Sequence, residues 1–232
     1  MTSVSKTDLR IDWATHEAAK YACEHWHYSK QMPMPPLLNI GVWECNKFIG
    51  VVVFSRGASP YLFTKYGIKQ TEGCELTRVA LTQHKTPVSR IVKIAVMFLK
   101  KRNNLKLIVS FADPQYGHNG GIYQAGNWIY TGITNKKNEY WHKGKRYHDR
   151  QITNKGYAMQ FGKMTKTLKP SDCIVKNLPG KHRYLMPLTK EMRQKIMPLS
   201  KPYPKRTPVE DRQKPSDDGG ANPTRSLQSS SA

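Results

Sequence analysis

The stretch Leu107-Ile-Val-Ser-Phe-Ala-Asp-Pro-Gln-Tyr-Gly-His-Asn-Gly-Gly-Ile-Tyr123 carries the clearest structural signal in this sequence. Its first five residues form a largely apolar run that predicts a short buried strand. The strand delivers Asp113 and ends at Pro114, and a Gly-rich turn then leads into a helix that we expect to begin near Tyr123. A carboxylate at a strand end beside such a turn is typical of sites in α/β proteins, but ordinary turns use the same residues.

Two segments upstream complete a strand–helix–strand unit. Residues 75–81 alternate well enough to form a strand. Thr86 and Pro87 fit the N-cap and first position of a helix that extends to Arg102 with a clear apolar stripe. Together with the strand at 107–111, these segments predict a right-handed βαβ unit.

The remaining pattern predicts a mixed α/β fold, in which helices flank a mixed central sheet. The further predicted elements are helices over 14–24 and 122–126, strands over 38–44, 48–54 and 128–133, and basic hairpins from 136 to 163. We assign residues 1–198 to one domain. Residues 199–232 are rich in Pro and Ser and poor in apolar side chains, so we expect a disordered tail.

The charge balance indicates a polyanionic partner. The 232 residues carry 38 Lys and Arg against 16 Asp and Glu, which gives a formal net charge of +22. Residues 136–206 contain 19 of the basic residues and 4 of the acidic ones. Nucleic acid is the simplest partner for such an excess of positive charge, whereas a surface that serves only solubility usually mixes charges of both signs.

Other features exclude several classes of protein. No segment reaches the length of a membrane span and the N-terminus has no apolar signal region, so we expect a soluble intracellular protein with no membrane partner. The four cysteines are widely separated, without a CxxC pair. This spacing argues against a structural zinc site and a disulfide framework and favours reduced thiols.

Three groups of residues are candidates for chemistry. His27 and Tyr28 follow the first helix, where an imidazole could move protons, cap the helix or join a second histidine on a metal. Arg78 lies inside a short apolar strand and requires a carboxylate, a phosphate or solvent. Ser89 and Arg90 lie at the start of the long helix, where free backbone N–H groups can hold phosphate, although most helix starts bind only water.

A fourth group is a run of aromatic and basic residues between 138 and 157. Aromatic rings can stack on bases while Lys and Arg hold phosphates, although a charged surface hairpin would have the same composition. The candidates for nucleic-acid contact are Tyr140, Trp141, Lys143, Lys145, Arg146 and Arg150.

With these residues in view, the chain resembles the Mom family of bacteriophage DNA-modification proteins over about residues 20–165. Five motifs in order carry the resemblance: His27-Tyr28-Ser29, Arg56-Gly57, Glu75-Leu-Thr-Arg78, Ser110-Phe-Ala-Asp113, and His118 through Tyr123 to Asn127-Trp128. It implies a fold similar to GCN5-related N-acyltransferases. It also implies conversion of adenine in DNA to N6-carbamoylmethyladenine, in the cytoplasm of the bacterial host, to evade restriction.

The resemblance further implies the site residues, which would be His27, Tyr28, Arg78, Asp113 and Tyr123. A bound iron is associated with the family, and His27, Tyr28 and Asp113 would be its candidate ligands. Asp113 or His27 would serve as general base, Tyr123 or Tyr28 would stack on the base or orient it, and Arg78 would hold an anion. The substrate would be double-stranded DNA with the adenine flipped out of the stack.

The acyl donor is open between acetyl-CoA and glycyl-tRNA. Acyl-CoA binders of this fold usually have a Gly-rich pyrophosphate loop before the long helix, but here residues 83–90 contain no glycine. Some relatives of the fold accept aminoacyl-tRNA, which a basic surface would suit. A glycyl group on N6 is an isomer of the carbamoylmethyl product, so we hypothesise glycyl transfer followed by rearrangement.

Two alternatives stay open at this point. A non-catalytic nucleic-acid-binding protein would need the charge and the aromatic side chains but neither Asp113 nor His27. An acetyl-CoA-dependent N-acetyltransferase would act on a protein or a small molecule and would bind CoA tightly. The sequence also leaves open whether the protein forms a homodimer.

Overall fold

The computed structural model describes residues 8–34, 37–57, 59–101, 104–147, 151–160 and 162–205. Four helices lie within these residues: α1 (His16–Trp26), α2 (Val88–Lys100), α3 (Gly121–Gln124) and α4 (Lys190–Ile196). The strands are β1 (Leu9–Trp13), β2 (Leu37–Glu44), β3 (Lys47–Ser55), β4 (Gly73–Leu81), β5 (Leu107–Ala112), β6 (Ile129–Ile133), β7 (Lys137–His142), β8 (Lys145–Tyr147), β9 (Tyr157–Gln160), β10 (Lys163–Lys166), β11 (Ile174–Leu178) and β12 (His182–Pro187).

Seven strands form the central sheet in the order β1-β2-β3-β4-β5-β12-β6. Strands β4 and β5 pair in parallel and are joined by α2, as the strand–helix–strand pattern predicts. The other neighbouring strands of this sheet are antiparallel. The predicted fold class, a mixed α/β sheet flanked by helices, is therefore confirmed.

The core lies on both faces of the sheet because the strand residues alternate between them. Ile91, Val92 and Leu99 of α2 are buried in the same cluster as Ile108 of β5. The neighbouring strand residue Val109 points to the other face, where α4 packs. Each fully buried aliphatic side chain of this size contributes about 1.5–3 kcal/mol.

The start of α2 differs from the prediction. The helix begins at Val88 with Pro87 as its N-cap, so Thr86 lies outside the helix and does not cap it. The Thr86 hydroxyl donates instead to the buried carboxylate of Glu44, at 2.6 Å. The sequence pattern locates the helix within one or two residues but gives no indication of this long-range partner.

Two small sheets follow β6. Strands β7, β8 and β11 form one and β9 and β10 form the other, in agreement with the expected basic hairpins. The expected disordered tail begins with described residues that contact the domain: Tyr203 donates a hydrogen bond from its hydroxyl to the Trp128 carbonyl at 2.7 Å. Residues 206–232 lie outside the described residues.

Candidate active site

A cleft of 1140 Å³ opens where β4 and β5 separate. The last paired residues of the two strands are Leu76 and Ser110, and beyond them β4 continues to Leu81 and β5 to Ala112. The Ser110 hydroxyl donates to the Leu76 carbonyl at 2.8 Å, which holds the strands together at the base of the opening. The cleft lining includes His27, Tyr28, Arg78, Ser89, Asp113 and Tyr123, which are six of the residues predicted from the sequence.

Asp113 directly follows β5 and is buried, with 6% of the residue's surface exposed. One carboxylate oxygen accepts the N–H of Gln115 at 3.1 Å, so Asp113 caps the short 3₁₀ turn that follows. The other oxygen forms an ion pair with the Lys181 ammonium at 2.8 Å. The Asp113 carboxylate therefore stabilises the turn, as Asp commonly does, and also lines the cleft.

Arg78 owes its position to a β-bulge in β4. Val53 of β3 pairs with Arg78 and the next residue, Phe54, pairs with Leu76, so Thr77 is the extra residue. The Arg78 guanidinium donates to the backbone carbonyls of Thr77 at 2.8 Å and Gln31 at 3.2 Å. These bonds use two of its five N–H groups, which leaves donors for a ligand in the cleft.

His27 lies just past α1 and is buried, with 7% of its surface exposed. Its Nδ1 accepts the backbone N–H of Ser29 at 3.1 Å, which assigns the proton of the neutral ring to Nε2. Burial lowers the pKa of His27 to about 4, and Arg78 adds to that effect. His27 is therefore a neutral N–H donor at pH 7, and its geometry argues against the expected role as general base.

Tyr28 belongs to an aromatic cluster at the mouth of the cleft. Its ring centroid lies 4.3 Å from that of Tyr116 and 5.3 Å from that of His118. Tyr28 is 43% exposed, so its ring is open to a further partner. Burial of the hydroxyl and the Asp113 carboxylate raise the pKa of Tyr28, which keeps the phenol protonated near neutral pH.

Tyr123 is buried and has a different environment. Its ring packs between Trp128 and Tyr184, with centroids 5.0 and 5.1 Å away. Its hydroxyl lies 2.7 Å from that of Ser110, whose proton goes to the Leu76 carbonyl, so Tyr123 is the donor of this bond. Burial raises the pKa of Tyr123 to about 12. These contacts favour a supporting role for Tyr123 over stacking on a base.

The turn after Asp113 requires glycine at position 120. Gly120 has a φ of +83°, which is unfavourable for residues with a Cβ. A Cβ there would also lie 2.2 Å from the Tyr184 ring, whose hydroxyl donates to the Asn119 carbonyl. The Gly-rich turn thus serves close packing around Tyr184 and brings Tyr123 under the cleft.

The expected iron ligands do not fit a metal in this arrangement. A metal on His27 Nε2 would require the proton on Nδ1, where the Ser29 N–H already donates. Lys181 pairs with one oxygen of Asp113 and the Gln115 N–H donates to the other, so a metal there would lie beside the Lys181 ammonium.

The predicted phosphate position at the start of α2 is only partly in the cleft. Ser89 lines the cleft, whereas Arg90 is exposed and does not. The loop ahead of the helix is occupied by Glu44, whose carboxylate accepts the backbone N–H groups of Lys85 and Thr86, both at 2.8 Å. An internal carboxylate thus occupies two amides of the loop just ahead of the helix, whereas Val88 and Ser89 of the first helical turn line the cleft.

The profile of the Mom protein family matches residues 8–205, which is most of the sequence. The chain belongs to the Mom family. This confirms the resemblance that the five sequence motifs indicate. No curated protein sequence matches this Mom-family chain.

Solved structures similar to this Mom-family protein include three enzymes of low sequence identity. A spermidine N-acetyltransferase from Vibrio cholerae is 9% identical, with 80% of this chain and 97% of that chain covered and a TM-score of 0.46. An N-acyl amino acid synthase from uncultured soil microbes is 10% identical, with 83% and 96% covered and a TM-score of 0.46. A GNAT family acetyltransferase from Elizabethkingia anophelis is 12% identical, with 77% of this chain and 97% of that chain covered and a TM-score of 0.39.

Five of the six expected nucleic-acid residues of the Mom-family chain lie on the β7–β8 hairpin. Lys143 and Lys145 are exposed at and beside its turn. Arg146 is also exposed, but its Nε donates to the Glu139 carboxylate at 2.8 Å, and the same carboxylate accepts the Trp141 indole N–H at 3.0 Å. Tyr140 is half-buried opposite Tyr147. Arg150 lies outside the described residues.

Sequence reasoning missed several residues of the site. Tyr116 lies in the quoted turn, where an aromatic between Pro and Gly could have been noticed. His182 is the first residue of strand β12 and Lys181 directly precedes it, and the pattern did not predict this strand. Glu44 is 42 residues from its partner Thr86, so no local signal could have found that contact.

No helix in the described residues is long and apolar enough to cross a membrane.

Proposed function

We propose that this Mom-family protein is an acyl-transferring enzyme that converts adenine in double-stranded DNA to N6-carbamoylmethyladenine and so shields phage DNA from restriction. Family membership supports DNA modification. The observation that carries the proposal is the meeting of a buried carboxylate, Asp113, with an exposed aromatic cluster around Tyr28 in one cleft. A flipped-out adenine needs both, since its ring stacks while its amine loses a proton.

The aromatic cluster supplies the stacking surface in this proposal. Tyr28 and Tyr116 are 43% and 49% exposed, and Tyr28 lines the cleft with the Tyr116 ring packed against it. Stacking of one base on an aromatic side chain contributes about 1–3 kcal/mol. The energy needed to unpair and flip a base is of the same order, a few kcal/mol, so stacking here would offset much of it.

Asp113 is the general base in the proposed reaction. The N6 amine attacks the acyl carbonyl and its proton passes to the carboxylate of Asp113, while the Lys181 ion pair holds that carboxylate in position. His27 offers an N–H and not a free lone pair, so it acts as a donor. Its Nε2–H and the remaining N–H groups of Arg78 would stabilise the oxyanion that develops on the carbonyl oxygen.

The donor that the loop before α2 favours is glycyl-tRNA. The Glu44 carboxylate already accepts from the Lys85 and Thr86 amides. A pyrophosphate at this position would have to displace an internal anion and then lie beside it, which repulsion opposes. An aminoacyl-tRNA would not need to displace the Glu44 carboxylate, because its phosphates would lie on the outside of the protein and its aminoacyl end alone would enter the cleft.

The product follows from glycyl transfer by a balanced rearrangement. The N6 amine forms an amide with the glycyl carbonyl, the ester bond to the tRNA ribose breaks, and the ribose oxygen leaves as a hydroxyl with one proton. The glycyl amine then attacks ring carbon C6, the C6–N6 bond breaks, and the old N6 remains as the terminal carboxamide. The sum of atoms is unchanged in this second step.

The basic three-stranded sheet is the proposed DNA surface. Strand β7 follows β6 after three residues and β11 precedes β12 by three, so this sheet extends from the end of the central sheet where His182 lines the cleft. The two connections are tied together, since Thr134 and Lys181 exchange hydrogen bonds at 2.9 Å. DNA held by Lys143 and Lys145 would therefore lie on an extension of the cleft.

The test is mass spectrometry of nucleosides from plasmid DNA of cells that express the protein. We expect deoxyadenosine with a carbamoylmethyl mass shift, and unmodified deoxyadenosine with the Asp113→Asn variant at equal expression. A clean adenine profile with folded wild-type protein would contradict the proposal and favour a binding protein or an N-acetyltransferase.

A nitrogen label tests the route. In cells fed ¹⁵N-glycine, the proposed rearrangement places the label on the nitrogen attached to C6. Label in the terminal carboxamide would exclude the rearrangement but leave the enzyme class intact.

A further inference from the structure

A second cavity of 460 Å³ lies on the face of the sheet that α4 covers. Segments distant in sequence line it. Lys65 and Tyr66 belong to the 3₁₀ turn between β3 and β4, Arg183 belongs to β12, and Lys201 follows α4. Thr131 of β6 completes the polar lining. Neighbouring strand residues Tyr130 and Tyr184 belong to the other face, so this cavity is separate from the cleft.

Three buried polar groups around this cavity donate no hydrogen bond to any group in the described part of the chain. They are the Tyr66 hydroxyl, the Thr131 hydroxyl and Nε of Arg183. Tyr66 is only 3% exposed. A buried polar group without a partner costs about 1–3 kcal/mol, and native proteins contain few of them. Each of the three can donate a hydrogen bond, so the group they lack is an acceptor.

The charges around the cavity have one sign. Its described lining residues contain three cations and no Asp or Glu. Burial, followed by repulsion from the nearby Arg183 guanidinium, lowers the pKa of Lys65 to about 8. The same guanidinium lies close to the Tyr66 hydroxyl and opposes the rise in its pKa that burial causes. An anion in the cavity would relieve the repulsion between the cations.

We propose that this cavity binds a phosphate group. A guanidinium, two ammonium groups and two hydroxyls are the donors that phosphate oxygens accept best. The volume exceeds what one phosphate fills and leaves room for an attached sugar. The phosphate would come from a nucleic-acid backbone or from a small phosphorylated molecule. The inference does not depend on the proposed function, because none of these side chains lies in the cleft.

The first experiment measures inorganic phosphate binding to the full-length protein by calorimetry, with chloride adjusted to constant ionic strength. Tyr66→Phe removes only the buried hydroxyl, and Lys65→Met removes one cation. Lys20→Met, on α1, is the control that loses the same charge elsewhere. We expect the dissociation constant to rise about tenfold for Lys65→Met and about threefold for Tyr66→Phe, with no change for the control. Equal affinity in all four proteins, or no binding to the wild type, would overturn the proposal.

The pH dependence provides a second measurement. Sulfate keeps its charge between pH 7 and 9, whereas Lys65 loses its proton across this interval. Sulfate affinity of the wild type should therefore fall as the pH rises, and Lys65→Arg should remain unaffected because an arginine keeps its charge. An equal fall in sulfate affinity in the wild type and in Lys65→Arg would show that Lys65 does not bind the anion.

Nucleic-acid binding distinguishes the two sources of phosphate. If a tRNA or DNA strand supplies it, Lys65→Met should weaken nucleic-acid binding and reduce the salt slope by about one. If affinity for nucleic acid is unchanged while phosphate affinity falls, the ligand is a small phosphorylated molecule. Both results support a phosphate site, and neither depends on whether a modified base is formed in the cleft.

Discussion

The cleft and the loop ahead of α2 lie next to each other but differ in the hydrogen-bonding groups that they leave open to a ligand. In the cleft, internal contacts fix the orientation and protonation of His27 and Tyr123 and leave donors of Arg78 open. In the loop, the carboxylate of Glu44 takes the amides that an anion would use. The difference indicates that the cleft keeps hydrogen-bond donors for a ligand, whereas an internal carboxylate already occupies the Lys85 and Thr86 amides ahead of α2.

The largest expected effect is at Asp113. Asp113→Asn keeps the cap on the Gln115 N–H but removes the base, and we expect product formation to fall about 10²–10⁴-fold. Lys181→Met removes the ion pair but keeps the base, so product formation should fall only about tenfold. Initial rates and circular dichroism of both variants provide the measurement. Equal losses would mean that Asp113 acts only through the ion pair.

Glu44→Gln tests the closed loop. The amide cannot accept from both Lys85 and Thr86, so we expect a loss of about 1–3 kcal/mol in the free energy of unfolding. The Thr86 hydroxyl and the backbone amides hold the pKa of Glu44 below 4.5, so its stabilisation is present above pH 4.5 and is lost as the pH falls through the folded pKa. Denaturation at pH 7 and pH 4 should show a smaller difference between the two proteins in acid.

Tyr116→Ala should reduce kcat/KM on duplex DNA by about 5- to 100-fold, since it removes one ring of the stacking cluster. Tyr116→Phe is the matched control and should keep most of the activity. The effect should shrink on a single-stranded or mismatched substrate, where flipping costs less. An equal loss on every substrate would argue against stacking.

His27 should remain neutral and protonated at Nε2 down to pH 5. Its folded pKa of about 4 lies below the ordinary 6.5, so the unfolded chain binds more protons in between and stability falls as the pH drops through that interval. Imidazole ¹⁵N chemical shifts report both tautomer and charge. A proton on Nδ1, or a midpoint above pH 6, would restore His27 as a candidate base.

The smallest effects are expected on the hairpin. Lys143→Glu with Lys145→Glu should weaken DNA or tRNA binding and flatten its salt dependence. Arg146→Glu should lower the melting temperature as well as weaken binding, because Arg146 pairs with Glu139 and loss of this ion pair destabilises the hairpin. Binding measured at three salt concentrations, with melting curves, separates the two cases. Unchanged binding in the double variant would remove the lysines from the contact surface.

Local pattern predicts much of the fold and part of the site. The apolar stripe of α2 and the strand before Asp113 are visible because helix and strand periods are properties of neighbouring residues. The contacts that define protonation are not visible, since the partners of Asp113 and Thr86 are 68 and 42 residues away. The role of Tyr123 could not be predicted either, because its burial depends on packing against Tyr184 of an unpredicted strand.

A reconstituted reaction tests the central claim most directly. Purified wild-type protein is incubated with duplex DNA and either glycyl-tRNA or acetyl-CoA, and the digested nucleosides are weighed by mass spectrometry. The closed loop and the open cleft predict modified deoxyadenosine with glycyl-tRNA and none with acetyl-CoA. Product from acetyl-CoA, with none from glycyl-tRNA, would contradict the account.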